Sequence, residues 1–461
     1  MTWQNQLISS LGGTRSTQVD QALYSFRKFI RSAVIGSVIL LVCALVAILW
    51  ANSPWSSSYF DLWETHITLI MGEWVLDLTL HQWVNEGLMM MFFLLVGLEV
   101  KEQILVGELS SVKRAMLPVA AAIGGMIVPA VIYAIINGSG EGSEGWGVPM
   151  STDIAFALGI LALLGKRVPL SLKVFLAALA IADDIGAIAV ITLFYTDSIA
   201  VEGILLALGL WLVIFALGRV GVFNAFIYFG LSCGVWLGFT IGGIHATIAG
   251  VLVAMAIPAH ALINPDHAFR RLVNAIDPNR MGGRALLHDK DQQELVHDLN
   301  AAVHDIEPPL VQLERSLQPW VTFVVMPLFA LSNAGVVIGG DILNTLTSPV
   351  SLGVIFGLLV GKPVGITLFA WLTVRSGIAE LPSGLTLLHI HGVSWLAGIG
   401  FTVALFVTEL AFVEAHVLAD EAKIGILFAS FIAGIIGFSL LRWLTSSQEI
   451  APTPEKEMRP A

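Results

Sequence analysis

Four ionisable side chains stand where the sequence offers them no water. Asp183 and Asp184 are adjacent in Ala180-Ile-Ala-Asp-Asp-Ile-Gly-Ala, inside a long apolar run. Asp153 follows Thr152 in Met150-Ser-Thr-Asp-Ile-Ala-Phe-Ala, just after Pro149. Lys362, in Leu359-Val-Gly-Lys-Pro-Val-Gly-Ile, has apolar or small residues on both sides. An ionised side chain at the centre of a bilayer costs about 2.5–3.5 kcal/mol, so four left apart would cost roughly 10–14 kcal/mol. They must meet, be partly neutral, or face a water-filled funnel. Lys362 against one of the paired aspartates is the obvious bridge. Adjacent residues on a helix point about 100° apart, so the second aspartate faces elsewhere and can open to solvent. Two neighbouring carboxylates in a poor dielectric titrate as a coupled pair. A carboxylate that holds a proton and gives it up when a cation arrives does the chemistry of an ion exchanger, and its oxygens suit a hard cation. A purely structural salt bridge would need only one aspartate. For Lys362 a structural partner, and for Asp153 a role confined to balancing backbone dipoles, stay open.

The elements that position these groups follow from composition. The chain has 461 residues, 56% hydrophobic and 12% charged, with mean hydropathy +0.83. Soluble domains carry about 25% charged residues, so the bilayer must be this chain's solvent. Apolar runs of spanning length lie near Ala33–Asn52, His81–Val100, Ala115–Ile136, Gly147–Leu164, Leu170–Thr196 and Val201–Leu217. Six more lie near Phe223–Gly238, Gly243–Pro258, Trp320–Ile338, Leu352–Val374, Gly384–Phe412 and Ile424–Trp443. The fold class is thus an all-α polytopic membrane protein of 12 spans.

Charge placement agrees with that count. With a cytoplasmic N-terminus, only Lys423 of the 23 Lys and Arg lands outside and Lys362 lies mid-membrane; the other 21 are cytoplasmic. That is the positive-inside pattern, and it puts both termini in the cytoplasm. Residues 1–32 form a polar N-terminal segment, 33–445 the transporter domain, 259–319 a cytoplasmic insert, and 446–461 a Pro-containing tail expected to be disordered. Cys43 and Cys233 fall in apolar runs, as inert fillers rather than a disulfide framework. No basic, aromatic-interleaved patch marks a nucleic-acid face, and no cofactor motif is present.

Two of the runs are interrupted. The fourth carries Gly147, Pro149, Ser151 and Thr152; the eleventh carries Gly398-Ile-Gly400-Phe-Thr402. Paired broken spans in corresponding halves mark the binding site of inverted-repeat transporters. Such breaks free backbone groups, tolerable at depth only beside a cavity or buried protein. Their N-terminal ends would favour Asp153, and their C-terminal ends the Lys362 amine. Close packing alone also explains a Gly-x-Gly.

At these residues the chain resembles the NhaA family of sodium/proton antiporters. The resemblance rests on Ser151-TDIAFALGILALLGKRVPLSLKVFLAALAIADDIGAIAVITLFYT, Met89-MMFFLLVGLEVKEQ, Ala121-AIGGMIVPA and Gly243-IHATIAG. Pro327-LFALSNAGV, Gly361-KPVGI and Ala397-GIGFTVALF extend it across nearly all spans. It implies inverted repeats with two broken, crossing helices. It implies electrogenic exchange of cytoplasmic Na⁺ or Li⁺ for external H⁺, two protons per sodium, by alternating access in a bacterial inner membrane. By resemblance Asp184 is the principal cation and proton carboxylate, Asp183 its neighbour paired with Lys362, and Thr152 and Asp153 the polar residues at the crossing. Gly398 and Gly400 support the break, and His245 is tied to pH response, although a packing histidine fits the sequence as well. A homodimer joined through Ser53–Leu80 is the family habit. The chain departs from the family at Glu86, at Glu102-Gln103 after Glu99, and in the long 259–319 insert, which leaves its pH response open. Two rivals remain at this stage. An intramembrane aspartyl protease needs its aspartates on different helices, and an organic-anion symporter needs a larger polar pocket.

Overall fold

The computed structural model describes residues 34–446 apart from 72–73, 139, 196–199, 223, 261–307, 340–341 and 383. The N-terminal segment 1–32, the tail after Ser446 and most of the 259–319 insert therefore lie outside the described residues. The described chain is mostly helical. Among the described residues, six helices are long and apolar enough to cross a membrane: Val34–Ala51, Val112–Asn137, Leu170–Phe194, Val201–Val220, Pro349–Arg375 and His416–Thr445. Two helix pairs, Glu141–Met150 with Ile154–Leu163 and Leu387–Ala397 with Phe401–Ala411, bend by 43° and 51° at short breaks, which makes up to eight spans. The other four predicted runs fall on shorter or segmented helices. These are Leu80–Gln82 through Leu105, Ala225–Ile241, Ala246–Ala256, and Val321–Val325 with Met326–Asn333. The long helices turn side chains such as Leu49, Ile135, Leu193 and Val220 outward. An apolar exterior of this kind calls for lipid.

The expectation of an all-α chain is corrected in one place. The segment between the first two runs holds helix Ser56–Trp63 and an antiparallel hairpin, β1 (His66–Met71) and β2 (Trp74–Thr79), with His66 opposite Thr79. Thr68 Oγ1 donates to Asp77 Oδ1 across the strands at 2.7 Å. The β-branched and aromatic content of His66-Ile-Thr-Leu-Ile-Met and Trp74-Val-Leu-Asp-Leu-Thr favours pleated backbone over a loop. The last span also starts earlier than predicted, at His416.

Two compact units divide the chain. One comprises Met90–Glu102 and the described parts of Asp197–Val321. Within it, helix Val201–Val220 stops at Gly221, whose φ of 85° is the left-handed cap that glycine adopts without strain. A Cβ on Gly238 would lie 2.8 Å from the Ala207 nitrogen, so this glycine sets how closely helices Val201–Val220 and Ala225–Ile241 approach. Lys101 Nζ donates to the carbonyls of Ala254, Met255 and Ile257, neutralising the negative end of helix Ala246–Ala256.

The second unit comprises Ile30–Met89, Gln103–Thr196 and the described parts of Thr322–Ala461. Helices Val112–Asn137 and Pro349–Arg375 pack along small residues. A Cβ on Gly361 would come 2.7 Å from Pro129 Cα, and one on Gly125 2.8 Å from Ile366 Cγ1. Without a hydrophobic drive between helices in lipid, such close approach supplies the packing that holds them. Just before Lys362 the helix widens into a π turn, Gly357–Gly361, and Pro363 then removes a backbone donor. Local widening of this type is frequent at functional sites.

Candidate functional site

The four charged residues singled out by the sequence all lie in the second unit, and all are buried. Asp183 and Asp184 fall near the middle of helix Leu170–Phe194, the one part of that helix where every neighbour from Ala178 to Ala182 is also buried. Lys362 Nζ donates to Asp183 Oδ2 at 2.5 Å and to Thr152 Oγ1 at 2.8 Å. Lys362 is 0% and Asp183 1% exposed, so neither charge has water as an alternative partner. Asp183 Oδ1 has no hydrogen-bond partner among the described residues. Asp184 lies within electrostatic reach of Lys362 but takes neither of those two bonds, as the 100° offset between neighbours requires.

Thr152 and Asp153 occupy the break of the first bent span. The Thr152 hydroxyl has one proton and spends it on the Ala397 carbonyl, at 2.8 Å, at the end of helix Leu387–Ala397. Its lone pairs face Lys362. Asp153 closes the junction from the other side. Its Oδ1 caps helix Ile154–Leu163 by accepting from Phe156 N at 3.0 Å. Its Oδ2 accepts from the Thr402 hydroxyl at 2.5 Å and from Thr402 N at 3.2 Å, at the start of helix Phe401–Ala411. The Asp153 N–H donates to the Ile399 carbonyl at 2.7 Å. One carboxylate therefore answers two helix N-termini, each an orphaned set of donors with partial positive charge.

The expected dipole pairing is half right. Asp153 takes the N-terminal ends as predicted. The Lys362 amine does not meet a helix C-terminus; it bonds Asp183 and Thr152, because a full carboxylate attracts it more strongly than a carbonyl dipole. Gly398 and Gly400 keep ordinary backbone angles, φ −71° and −85°, so strain is not their reason for being glycine. A Cβ on Gly398 would sit 2.7 Å from the Leu358 carbonyl, and that close approach is what the position requires. Thr402 completes the site and was not among the residues selected for it. Its place in the Gly-x-Gly-Phe-Thr break, mirroring Thr152 in the other break, was the available signal.

His245 belongs to the first compact unit. It lies half-buried at the N-cap of helix Ala246–Ala256, with no side-chain capping bond. That unit holds a separate acidic group, Glu314 on the polar helix Pro309–Trp320 with Glu99 and Glu102 near it. Burial, and then the charges of Glu102 and Glu99, push the Glu314 carboxyl up to about 9, against a small opposing pull from Arg315. Among the described residues, no group of three or more His, Cys, Asp or Glu side chains is arranged to hold a metal ion.

Comparison with known proteins places the chain. The family model described as Na+/H+ antiporter 1 matches residues 27–441. The Na(+)/H(+) antiporter NhaA of Oleidesulfovibrio alaskensis is 45% identical over 96% of this chain and 98% of that protein. Proteins of the same name from Koribacter versatilis and Acidithiobacillus ferrooxidans are 43% and 44% identical, over 96% and 92% of this chain and 96% and 97% of theirs. A match of that length, over a junction built from the same residues that carried the resemblance, means that this chain belongs to the Na⁺/H⁺ antiporter 1 family.

Proposed function

We propose that this chain is a secondary transporter, not an enzyme, that exports cytoplasmic Na⁺ or Li⁺ in exchange for external H⁺. The observation that carries the reading is the knot at the two breaks. Lys362 is held by Asp183 and Thr152, and Asp184 lies beside it on the same helix. Asp184 is the carboxylate that takes either a proton or the cation. Open to the cytoplasm, the pair loses protons and Asp184 takes Na⁺ with water. The Thr152 oxygen accepts from the Lys362 ammonium, whose charge repels a cation at the same oxygen, so Thr152 becomes a cation ligand when the amine moves away. Sodium entry and loss of the lysine bridge are thereby coupled. With the site turned outward, Na⁺ leaves and protons rebind. Two protons against one Na⁺ moves net charge, so the exchange is electrogenic. Competition for one carboxylate makes the rate pH-dependent without any further sensor.

The wider arrangement belongs to the same proposal. Twelve spans form two inverted repeats, with both termini cytoplasmic, in a bacterial inner membrane. Their support is the charge asymmetry of the loops and the paired breaks at residues 151–153 and 398–400. Hairpin β1–β2, whose first strand is exposed from His66 to Ile70, is the surface through which two copies would pair. The test is proton flux in everted vesicles preloaded with acid, read by a pH-sensitive dye. Adding Na⁺ or Li⁺ with no organic solute should dissipate the gradient, and Asp184→Asn should abolish the response. Full exchange by that variant would end the scheme. A requirement for an organic anion would favour a symporter instead.

A further inference from the structure

The proposed topology leaves one cation unexplained, because Lys423 alone falls outside. Lys423 Nζ lies 2.6 Å from Glu409 Oε1, with the two side chains 12% and 21% exposed. Glu409 stands on helix Phe401–Ala411, seven residues after Thr402, which is about 10 Å along a helix at 1.5 Å per residue. It therefore caps, at the outer end, the same segment whose inner end holds Asp153. Its second oxygen, Oε2, faces His81 Nε2 at 3.8 Å.

His81 belongs to a different set of elements. It begins the helical run leading into Met89–Leu105, and its Nε2 lies 3.1 Å from Asn333 Oδ1, at the end of helix Met326–Asn333. Asn333 is 0% exposed and is locked in turn. Its Nδ2 donates to Asn85 Oδ1 at 2.8 Å, and Asn85 Nδ2 donates back to Asn333 Oδ1 at 3.2 Å. Beside this network Phe406 packs on Phe329, ring centres 6.3 Å apart. Neither Met326–Asn333 nor the run through His81 carries any of Thr152, Asp153, Asp183, Asp184, Lys362 or Thr402. One jaw therefore belongs to a site-bearing segment, and the other to elements that bear none of the site.

We infer that Glu409, steadied by Lys423 and facing His81 with its Asn85–Asn333 support, is a positioning residue that holds the outer end of the site closed. The inference rests on the exchange reading above. Asn333, Asn85 and His81 partner one another and Glu409 keeps Lys423, so what joins the two sides is the 3.8 Å approach of Glu409 to His81 and the packing of Phe406 on Phe329. Opening toward the outside would part the jaws. The clasp biases the equilibrium toward the outward-closed state, and the apparent affinity from either side scales with the fraction of molecules open to that side.

The experiment compares the Na⁺ KM from the two faces, in right-side-out and everted vesicles of the same protein. Glu409→Ala should lower the KM for Na⁺ offered outside by about threefold to tenfold, and raise the KM inside by a smaller factor. His81→Ala should shift the ratio the same way, and the double variant should shift it no further than either alone, since both act through one contact. Glu409→Asp should recover part of the unsubstituted ratio, and it keeps the test open should Glu409→Ala fold poorly. A merely structural role would lower the amount of protein or kcat equally from both faces and leave the ratio alone. Active variants with an unmoved ratio, or additive effects of the two substitutions, overturn the clasp while leaving exchange intact. Absence of Na⁺-driven proton flux in the unsubstituted protein would overturn the exchange reading, and the clasp with it.

Discussion

The second unit contains two lysine–carboxylate pairs of nearly equal length, Lys362–Asp183 at 2.5 Å and Lys423–Glu409 at 2.6 Å. Their surroundings differ. The first is sealed, 0% and 1% exposed; the second keeps 12% and 21% of its side-chain surface in reach of solvent. In the first unit Glu314 offers a third condition, a carboxyl whose nearest charged neighbours include two further carboxylates. The comparison teaches that pair geometry does not decide what a pair does. Water access decides what happens when a partner is lost. A sealed pair cannot be opened without supplying another counter-charge, which suits a site where an arriving cation must replace a proton or an amine. The part-exposed pair steadies Glu409, whose longer contact, 3.8 Å to His81, is the one that would open at the proposed clasp.

The largest effect separating the two should come from Lys362→Ala. Removing one partner of a buried pair leaves an uncompensated charge and costs about 3–5 kcal/mol. Thermal unfolding in detergent should therefore fall steeply, and adding Asp183→Ala should recover part of the loss. A melting curve like that of the unsubstituted protein would refute the bridge. Asp153→Ala comes next. It removes a helix cap worth about 1 kcal/mol and strands the buried Thr402 donors at about 1–3 kcal/mol more. Thr402→Val, which removes only the hydroxyl, should cost visibly less in the same melt; equal costs would mean that Asp153 does not join the two breaks.

The Glu314 prediction concerns pH. Its carboxyl holds its proton up to about 9 in the folded chain. A raised acid stabilises the fold fully below the unfolded value, and that contribution is lost progressively as pH rises toward 9. The slope of melting temperature against pH between 5 and 9 should be shallower in Glu314→Gln. An unchanged slope would show that Glu314 is ionised throughout. The smallest effect should be that of Lys423→Met on stability, well below that of Lys362→Ala, since this pair keeps some solvent access, 12% and 21%, where the other is sealed. A loss as large as that of Lys362→Ala would erase the distinction between the pairs.

Much of this was legible in the sequence because hydropathy and intramembrane charge are strong signals. The long apolar runs became the long helices, and the two Gly/Pro-interrupted runs became the two bent pairs. Cost alone joined Lys362 to one of the paired aspartates, and the family resemblance pointed to Asp183. Other features depended on signals that periodicity does not carry. Strand β1 is exposed from His66 to Ile70, so it shows none of the in–out alternation that marks a half-buried strand. Thr402 looked like one more small residue in an apolar helix until its hydroxyl met Asp153. Glu409, His81 and Asn333 are far apart in the chain, and only packing makes them neighbours. The Lys362 amine bonds Asp183 and Thr152 rather than a helix-end carbonyl, because a full carboxylate attracts it more strongly than a carbonyl dipole.

The most direct test of the central claim is proton release on sodium binding. Purified protein in weakly buffered detergent solution would be titrated with Na⁺ across a range of pH while freed protons are counted. The account predicts that Na⁺ displaces protons, that its apparent affinity weakens as the solution is made more acid, and that Asp184→Asn does neither. Sodium binding with no proton released, or undiminished binding by Asp184→Asn, would contradict it.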